Sequence, residues 1–166
     1  IHINVDGAKG KTLYIRIPGW CKTAQFSVGY KALNGYAEIF VDSNNMNIDI
    51  DFDMPASFVV ANPKVRANNK KAALMRGPVV YCMERVDNDF DLGDISINTK
   101  SKPELSFDEY FSCNTVKVRG KVSEFPSCLY LSSDDVKTTD TEAVFIPYYA
   151  FANRGESDMT VWFAFE

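Results

Sequence analysis

The 166 residues carry a net charge of −4, with 46% hydrophobic and 24% charged positions. That balance supplies a core and is unlike a disordered tail. No basic stripe exists to track phosphates, and no apolar run approaches the roughly 20 residues that span a bilayer, so neither nucleic acid nor a membrane is an expected partner.

The chain opens on Ile1-His2-Ile3-Asn4-Val5, already strand-like, and does not begin with Met. It is read as a piece whose natural N-terminus, with any targeting signal, lies upstream. Period two then dominates. Asp6-Gly7 through Gly10 is expected to turn a hairpin from the first strand into the second. Leu13, Ile15 and Ile17 alternate with Tyr14 and Arg16, and Pro18-Gly19 ends that strand. Strands are expected over 24–30 and 36–41, punctuated by Asn34-Gly35, and Asn44-Asn45 follows Val41-Asp42. Ile48, Ile50 and Phe52 alternate with Asp49, Asp51 and Asp53, which places three aspartates on one exposed face. Calcium ligands come mostly from loops with several oxygen types, so this face is read as solvated and as a guard against edge pairing.

Another strand is expected over 57–61. Asn62-Pro63-Lys64-Val65-Arg66-Ala67 has the pattern of one helical turn, with Asn62 capping and Pro63 first. The best internal boundary falls near Ala61-Asn62-Pro63, where a basic stretch (Lys64, Arg66, Lys70, Lys71) begins. Strands follow over 71–76 and 78–85. The acidic stretch 86–112 reads as a long connection with one short strand at Ile95-Ser96-Ile97. Further strands are expected over 114–118, 128–132, 142–151 and 159–165. The fold class is all-β, an antiparallel β-sandwich of jelly-roll-like type with no long helices.

Chemistry is sparse. A nucleophile needs a base, usually histidine, and the only histidine is His2, so a hydrolytic triad is not expected. Cys21, Cys82, Cys113 and Cys128 are too far apart for a C-x-x-C motif and read as free thiols in a reducing compartment. Arg76-Gly77-Pro78 lacks the Gly-rich cradle of a phosphate loop. Asn153-Arg154-Gly155 is a turn signature that would leave Arg154 exposed. Glu84, closing the apolar run 78–83, is the best single candidate for a perturbed carboxylate; its plainer reading is a strand end meeting solvent, paired with Arg85 or Lys71. Among the aromatics, Trp20, Tyr30, Tyr36, Tyr148, Tyr149, Phe151 and Trp162 could build a sugar-stacking platform, although most sandwich aromatics are core. The residues singled out for stacking or an interface are Trp20, Tyr148, Tyr149, Phe151 and Arg154. No catalytic, cofactor-binding or metal-ligating residue is assigned.

Several strings occur in a telling order. Leu13-Tyr14-Ile15-Arg16-Ile17-Pro18-Gly19-Trp20-Cys21 precedes Met54-Pro55 and Asn62-Pro63-Lys64-Val65. Ala73-Leu74-Met75-Arg76-Gly77-Pro78-Val79-Val80-Tyr81-Cys82-Met83-Glu84 and Val86-Asp87-Asn88 come next. Ile146-Pro147-Tyr148-Tyr149-Ala150-Phe151-Ala152-Asn153-Arg154-Gly155 and Met159-Thr160-Val161-Trp162 close the series. Together they resemble the C-terminal region of glycoside hydrolase family 127, the β-L-arabinofuranosidase-like proteins, with 86–145 the weakest part. The resemblance implies that 1–61 are the later strands of a first β-sandwich and that 62–166 form a second, C-terminal one. It places catalysis in an upstream (α/α)6 barrel of the same polypeptide, where a cysteine nucleophile sits beside a zinc held by cysteines and a glutamate. That set includes an adjacent Cys-Cys pair. None occurs here, so zinc is implied only for the barrel and no cofactor for this chain. Two positions depart from the family: Val41-Asp42-Ser43-Asn44-Asn45-Met46 replaces a Trp and a Gly-Asp turn, and Phe151 stands where a Trp is expected.

The expected function is therefore a non-catalytic accessory region of a bacterial glycoside hydrolase, bracing the barrel and lending itself to a homodimer interface, in the cytoplasm. The alternative is a carbohydrate-binding module that binds glycan weakly through exposed aromatics. A third reading, a free-standing enzyme, requires a cleft with two acids roughly 5–10 Å apart.

Overall fold

The computed structural model describes residues 1–166. The chain divides into two compact units, Ile1–Pro55 and Ala56–Glu166.

The first unit has six strands: β1 (His2–Asp6), β2 (Thr12–Arg16), β3 (Ala24–Phe26), β4 (Lys31–Leu33), β5 (Tyr36–Phe40) and β6 (Asn45–Phe52). They form two three-stranded antiparallel sheets, β1-β6-β3 and β2-β5-β4. Alternation aims one face of each sheet inward. Ile39 of β5 and Ile48 and Ile50 of β6 are buried, and Ile3, Val5, Leu13, Ile15, Phe26 and Phe52 pack partly around them. Asp49, Asp51 and Asp53 take the solvent face, as their spacing predicts. Asn34-Gly35 joins β4 to β5 as a two-residue hairpin, with Leu33 opposite Tyr36. Both turn residues have positive φ, 50° and 80°, the type I′ geometry that Asn-Gly adopts most readily.

The expected hairpin between the first two strands does not form. β1 pairs with β6 and β2 with β5, so the Asp6–Gly10 segment crosses from one sheet to the other. It runs beside the β5–β6 connection, with Gly7 N donating to Asn44 O and Gly10 N to Val41 O, both at 2.8 Å. A turn signature reports a reversal of direction, and here the reversal changes sheets.

The second unit contains β7 (Ala56–Val60), β8 (Lys71–Arg76), β9 (Val79–Glu84), β10 (Ile95–Ile97), β11 (Glu104–Asp108), β12 (Cys113–Glu124), β13 (Lys137–Pro147), β14 (Met159–Thr160) and β15 (Phe163–Phe165). Strand pairing runs β9-β13-β12-β10-β15-β8, and β8 pairs back onto β9, which closes six strands into a barrel. The fold class is all-β as expected, but in this unit one sheet closes on itself where two facing sheets were anticipated. Closure depends on the parallel β10–β15 pair, which brings Ser96 opposite Ala164. Every barrel strand sends residues into the interior: Ala72, Leu74, Tyr81, Met83, Ile95, Ile97, Val116, Val118, Ala143, Phe145 and Phe163 are all buried there. β7, β11 and β14 lie outside the ring, paired to β8, β12 and β9.

The division between units falls after Pro55 rather than after Ala61, because β7 pairs along β8 from Ala56–Arg76 to Val60–Ala72. The turn at 62–65 forms, with Lys64 N donating to Asn62 Oδ1 at 3.0 Å, and a 3-10 turn follows at Arg66–Asn68. Ile95–Ile97 is a strand as predicted, but β11 also lies within the stretch read as connection. The segment 128–132 is not a strand, and the strand expected over 142–151 ends at Pro147 and gives way to a 3-10 turn, Tyr148–Ala150.

Candidate functional site

β9 is buried on both faces. Tyr81 and Met83 point into the barrel, so Cys82 and Glu84 point outward. A second apolar cluster covers that outer face: Cys82, Ile146 and Ala150, with Phe111, Phe151, Met159 and Val161 packed against them. The cover is the chain after β13, where Pro147 ends the strand and the 3-10 turn folds 148–155 back over the sheet.

Glu84 sits under this cover, 1% exposed. Its carboxylate accepts from Arg154 Nη2 at 2.9 Å and from the backbone N–H of Ala152 at 3.2 Å. Arg154 also donates both Nη1 and Nη2 to the two carboxylate oxygens of Asp87. Its guanidinium lies 4.8 Å from the centre of the Phe111 ring. These contacts correct two expectations. Arg154 is not an exposed turn residue, since its side chain is 24% exposed and bridges two acids. Glu84 pairs with neither Arg85 nor Lys71; Arg85 instead bonds the backbone oxygen of Asn88. Asn88 is itself buried, and its amide spans the end of the β9–β13 seam. Nδ2 donates to Glu84 O at 2.8 Å and to Val144 O at 3.2 Å, and Oδ1 accepts from Val144 N at 2.9 Å.

The charge balance of this node holds a loop in place. Two carboxylates share one guanidinium whose protonation their hydrogen bonds reinforce. An acid bonded this way is an acceptor with its lone pairs engaged, not a free proton donor. Cys82 beneath them is pushed up to about 12 by burial and then by the nearby Glu84 and Asp87 charges, so its thiol stays protonated and unreactive near neutrality. All four cysteines are unpaired, Cys82 and Cys113 buried and Cys128 exposed. No three His, Cys, Asp or Glu side chains come together as metal ligands. His2 pairs with Asp49 across β1 and β6 on an exposed face.

The other singled-out residues separate. Trp20 belongs to the first unit and packs edge-on against Phe52, with ring centroids 6.2 Å apart. Tyr148, Tyr149, Phe151 and Arg154 share the fold-back of the second unit. On a strand Tyr148 and Tyr149 would face opposite ways. In the 3-10 turn residues three apart eclipse, so Tyr148 stacks on Phe151 at 6.3 Å and 13°. Tyr148 and Tyr149 are both exposed, at 49% and 67%. Beside Tyr148 a surface groove is lined by Asn68, Lys71, Val80, Met159, Thr160, Val161 and Trp162. Trp162 faces outward because its neighbour Phe163 fills the barrel.

Residues 56–164 match the sequence model of the glycoside hydrolase family 127 C-terminal domain. The chain belongs to glycoside hydrolase family 127. A non-reducing end β-L-arabinofuranosidase of Bifidobacterium longum subsp. longum is 31% identical over 164 residues, covering 89% of this chain and 25% of that protein. A crystal structure of a family 127 β-L-arabinofuranosidase from Geobacillus stearothermophilus T6 superposes with a TM-score of 0.83 at 30% identity, covering 99% of this chain and 27% of that one. A second solved family 127 β-arabinofuranosidase gives a TM-score of 0.78 at 27% identity, over 99% of this chain and 30% of its own. The family 127 chain described here thus spans about a quarter to a third of the relatives it matches. Within it the family strings at Glu84, Asp87-Asn88 and Arg154 converge in space. The pairing of Glu84 with Arg154 was not visible in sequence, because 70 residues separate them. The available signal was chemical: a carboxylate and a guanidinium each ending an apolar run need partners if buried.

Proposed function

We propose that this chain is a non-catalytic accessory region of a β-L-arabinofuranosidase-like glycoside hydrolase, bracing a catalytic (α/α)6 barrel that lies upstream in the same polypeptide. The observation that carries this reading is the match of 56–164 to the family's C-terminal domain, in a chain one quarter the length of a β-L-arabinofuranosidase. Two further features support it. The strongest charged node, Glu84–Arg154–Asp87, is spent on fastening a loop. In residues 1–55 the buried apolar side chains are Ala37, Ile39, Val41, Ile48 and Ile50, a small core that fits the later strands of a sandwich whose remaining strands come from elsewhere. Zinc belongs, on this reading, to the barrel. The free thiols fit a reducing bacterial cytoplasm.

The test is turnover of an aryl β-L-arabinofuranoside by three preparations: this chain, the full-length enzyme, and the enzyme truncated before Ile1. The chain is expected to match the buffer blank. The truncated enzyme is expected to lose activity and to regain it when the chain is co-expressed. Turnover by the chain alone sinks the proposal.

A carbohydrate-binding module is the second reading, favoured by one observation: the groove beside Tyr148 has a second aromatic, Trp162, and polar groups in its lining.

A further inference from the structure

We propose that the groove between Tyr148 and Trp162 is a saccharide-binding site, taking one or two neutral sugar rings of an arabino-oligosaccharide. The inference deepens the second reading above and is independent of the bracing role. Tyr148 and Trp162 reach the groove from different segments, the 3-10 turn after β13 and the bend before β15, while Asn68 and Lys71 come from the turn before β8 and from β8 itself. With Val80 of β9, four separate stretches of chain (68–71, Val80, Tyr148 and 159–162) build one surface.

The chemistry is that of sugar recognition. A sugar ring presents an apolar C–H face, which packs on an aromatic ring, and a rim of hydroxyls, which need donors and acceptors. Tyr148 supplies an aromatic ring, held in orientation by stacking on Phe151. The Trp162 indole is also fixed: with the Asn68 amide oxygen turned toward it, Nε1 donates to that oxygen at 3.1 Å, and the amide nitrogen donates to Ala67 O at 3.2 Å. Thr160 Oγ1 donates to Trp162 O at 3.0 Å and keeps its lone pairs for a hydroxyl donor. Lys71 is exposed and engaged in none of the chain's ion pairs, leaving its three N–H groups for ligand oxygens. A single cation at the rim suits a neutral polyol better than a phosphate chain, which needs several. Two oriented aromatics also suit a proline-rich peptide, so that class is the comparison the test must include.

The chain has two tryptophans, Trp20 and Trp162, and Trp20 lies in the other unit, so its indole N–H resonance is an internal control. The nitrogen-15-labelled chain is titrated with an α-1,5-linked arabinotriose, with dextran oligosaccharide and with a decaproline peptide; Trp20→Phe assigns the two signals. The expected result is a saturable shift of the Trp162 signal by arabinotriose alone, with a Kd of about 1–10 mM and a stationary Trp20 signal. Tyr148→Ala is expected to weaken binding roughly tenfold and Tyr148→Phe to leave it nearly intact. Lys71→Met, a surface change that spares the packing, is expected to weaken it about threefold. No shift up to about 100 mM sugar overturns the site, as does tighter binding of decaproline, or wild-type affinity in folded Tyr148→Ala and Lys71→Met. A silent titration beside a rescued truncated enzyme removes the sugar site and leaves the bracing role standing. Sugar binding beside a failed rescue does the reverse.

Discussion

Glu84 is the residue with most at stake, since a carboxylate 1% exposed is tolerated only with its lone pairs engaged. Arg154 and the Ala152 amide engage them. Removing the cation strands two acids, Glu84 and Asp87, whereas also neutralising Glu84 leaves only Asp87, 15% exposed, without its partner. Arg154→Met is therefore expected to cost about 3 kcal/mol in urea unfolding, and the double change Arg154→Met, Glu84→Gln less than the single one. A single-variant loss below about 0.5 kcal/mol would show that the bridge is ornamental. Cys82 makes a second case at this scale. Its thiol rises from 9.0 to about 12 on burial, so from pH 9 to 12 the unfolded chain releases a proton that the folded chain keeps. Stability from this group is complete below pH 9 and falls as pH rises, by up to about 1.4 kcal/mol per unit. Tyr81 and Cys113, also raised by burial, push the same way. Urea titrations at pH 8 and pH 10.5 should show a smaller alkaline loss in Cys82→Ala than in the wild type. Equal losses would contradict the shift.

At the scale of elements, the closest approach is between β12 and β10. Gly120 faces Ile97, and a Cβ at Gly120 would stand 2.7 Å from the Ser96 carbonyl oxygen. That oxygen is backbone and cannot swing aside, so Gly120→Ala must separate two barrel strands. A loss of about 1–3 kcal/mol is expected, read from the thermal midpoint by circular dichroism. A neutral Gly120→Ala would mean that the barrel wall is slack there. The same seam shows what the sequence could and could not reveal. Strands with one wet face, such as β2 and β6, announce themselves by alternation. β9 does not alternate, because the 148–155 fold-back dries its outer face, and β11 was hidden because its residues are almost all exposed. The barrel itself was illegible. It closes through the parallel β10–β15 pair and the return of β8 onto β9, and pairing between remote segments leaves no mark in local alternation. The fold-back was half legible: the string around Arg154 was visible, its partner 70 residues away was not.

For the whole molecule, the two units differ in how they close. In Ala56–Glu166, each barrel strand is paired on both sides and eleven side chains form one buried core. In Ile1–Pro55, β2 and β4 flank one sheet and β1 and β3 the other, so four strands keep a free edge. It buries five apolar side chains, Ala37, Ile39, Val41, Ile48 and Ile50. A unit of that size buries a smaller share of its surface than a larger domain does, and open edges lower its stability further. Two transitions are therefore expected in calorimetry of the intact chain, the first from 1–55. A fragment of 56–166 should keep the upper transition within a few degrees, and a fragment of 1–55 should show no cooperative melt. On the accessory reading the lower transition is the sensitive one: joining an upstream polypeptide that pairs with the open edges should raise it while the transition of 56–166 stays in place. One shared transition in the isolated chain, lost when the fragments are separated, would instead mean that the units depend on each other and that the first is not awaiting strands from elsewhere.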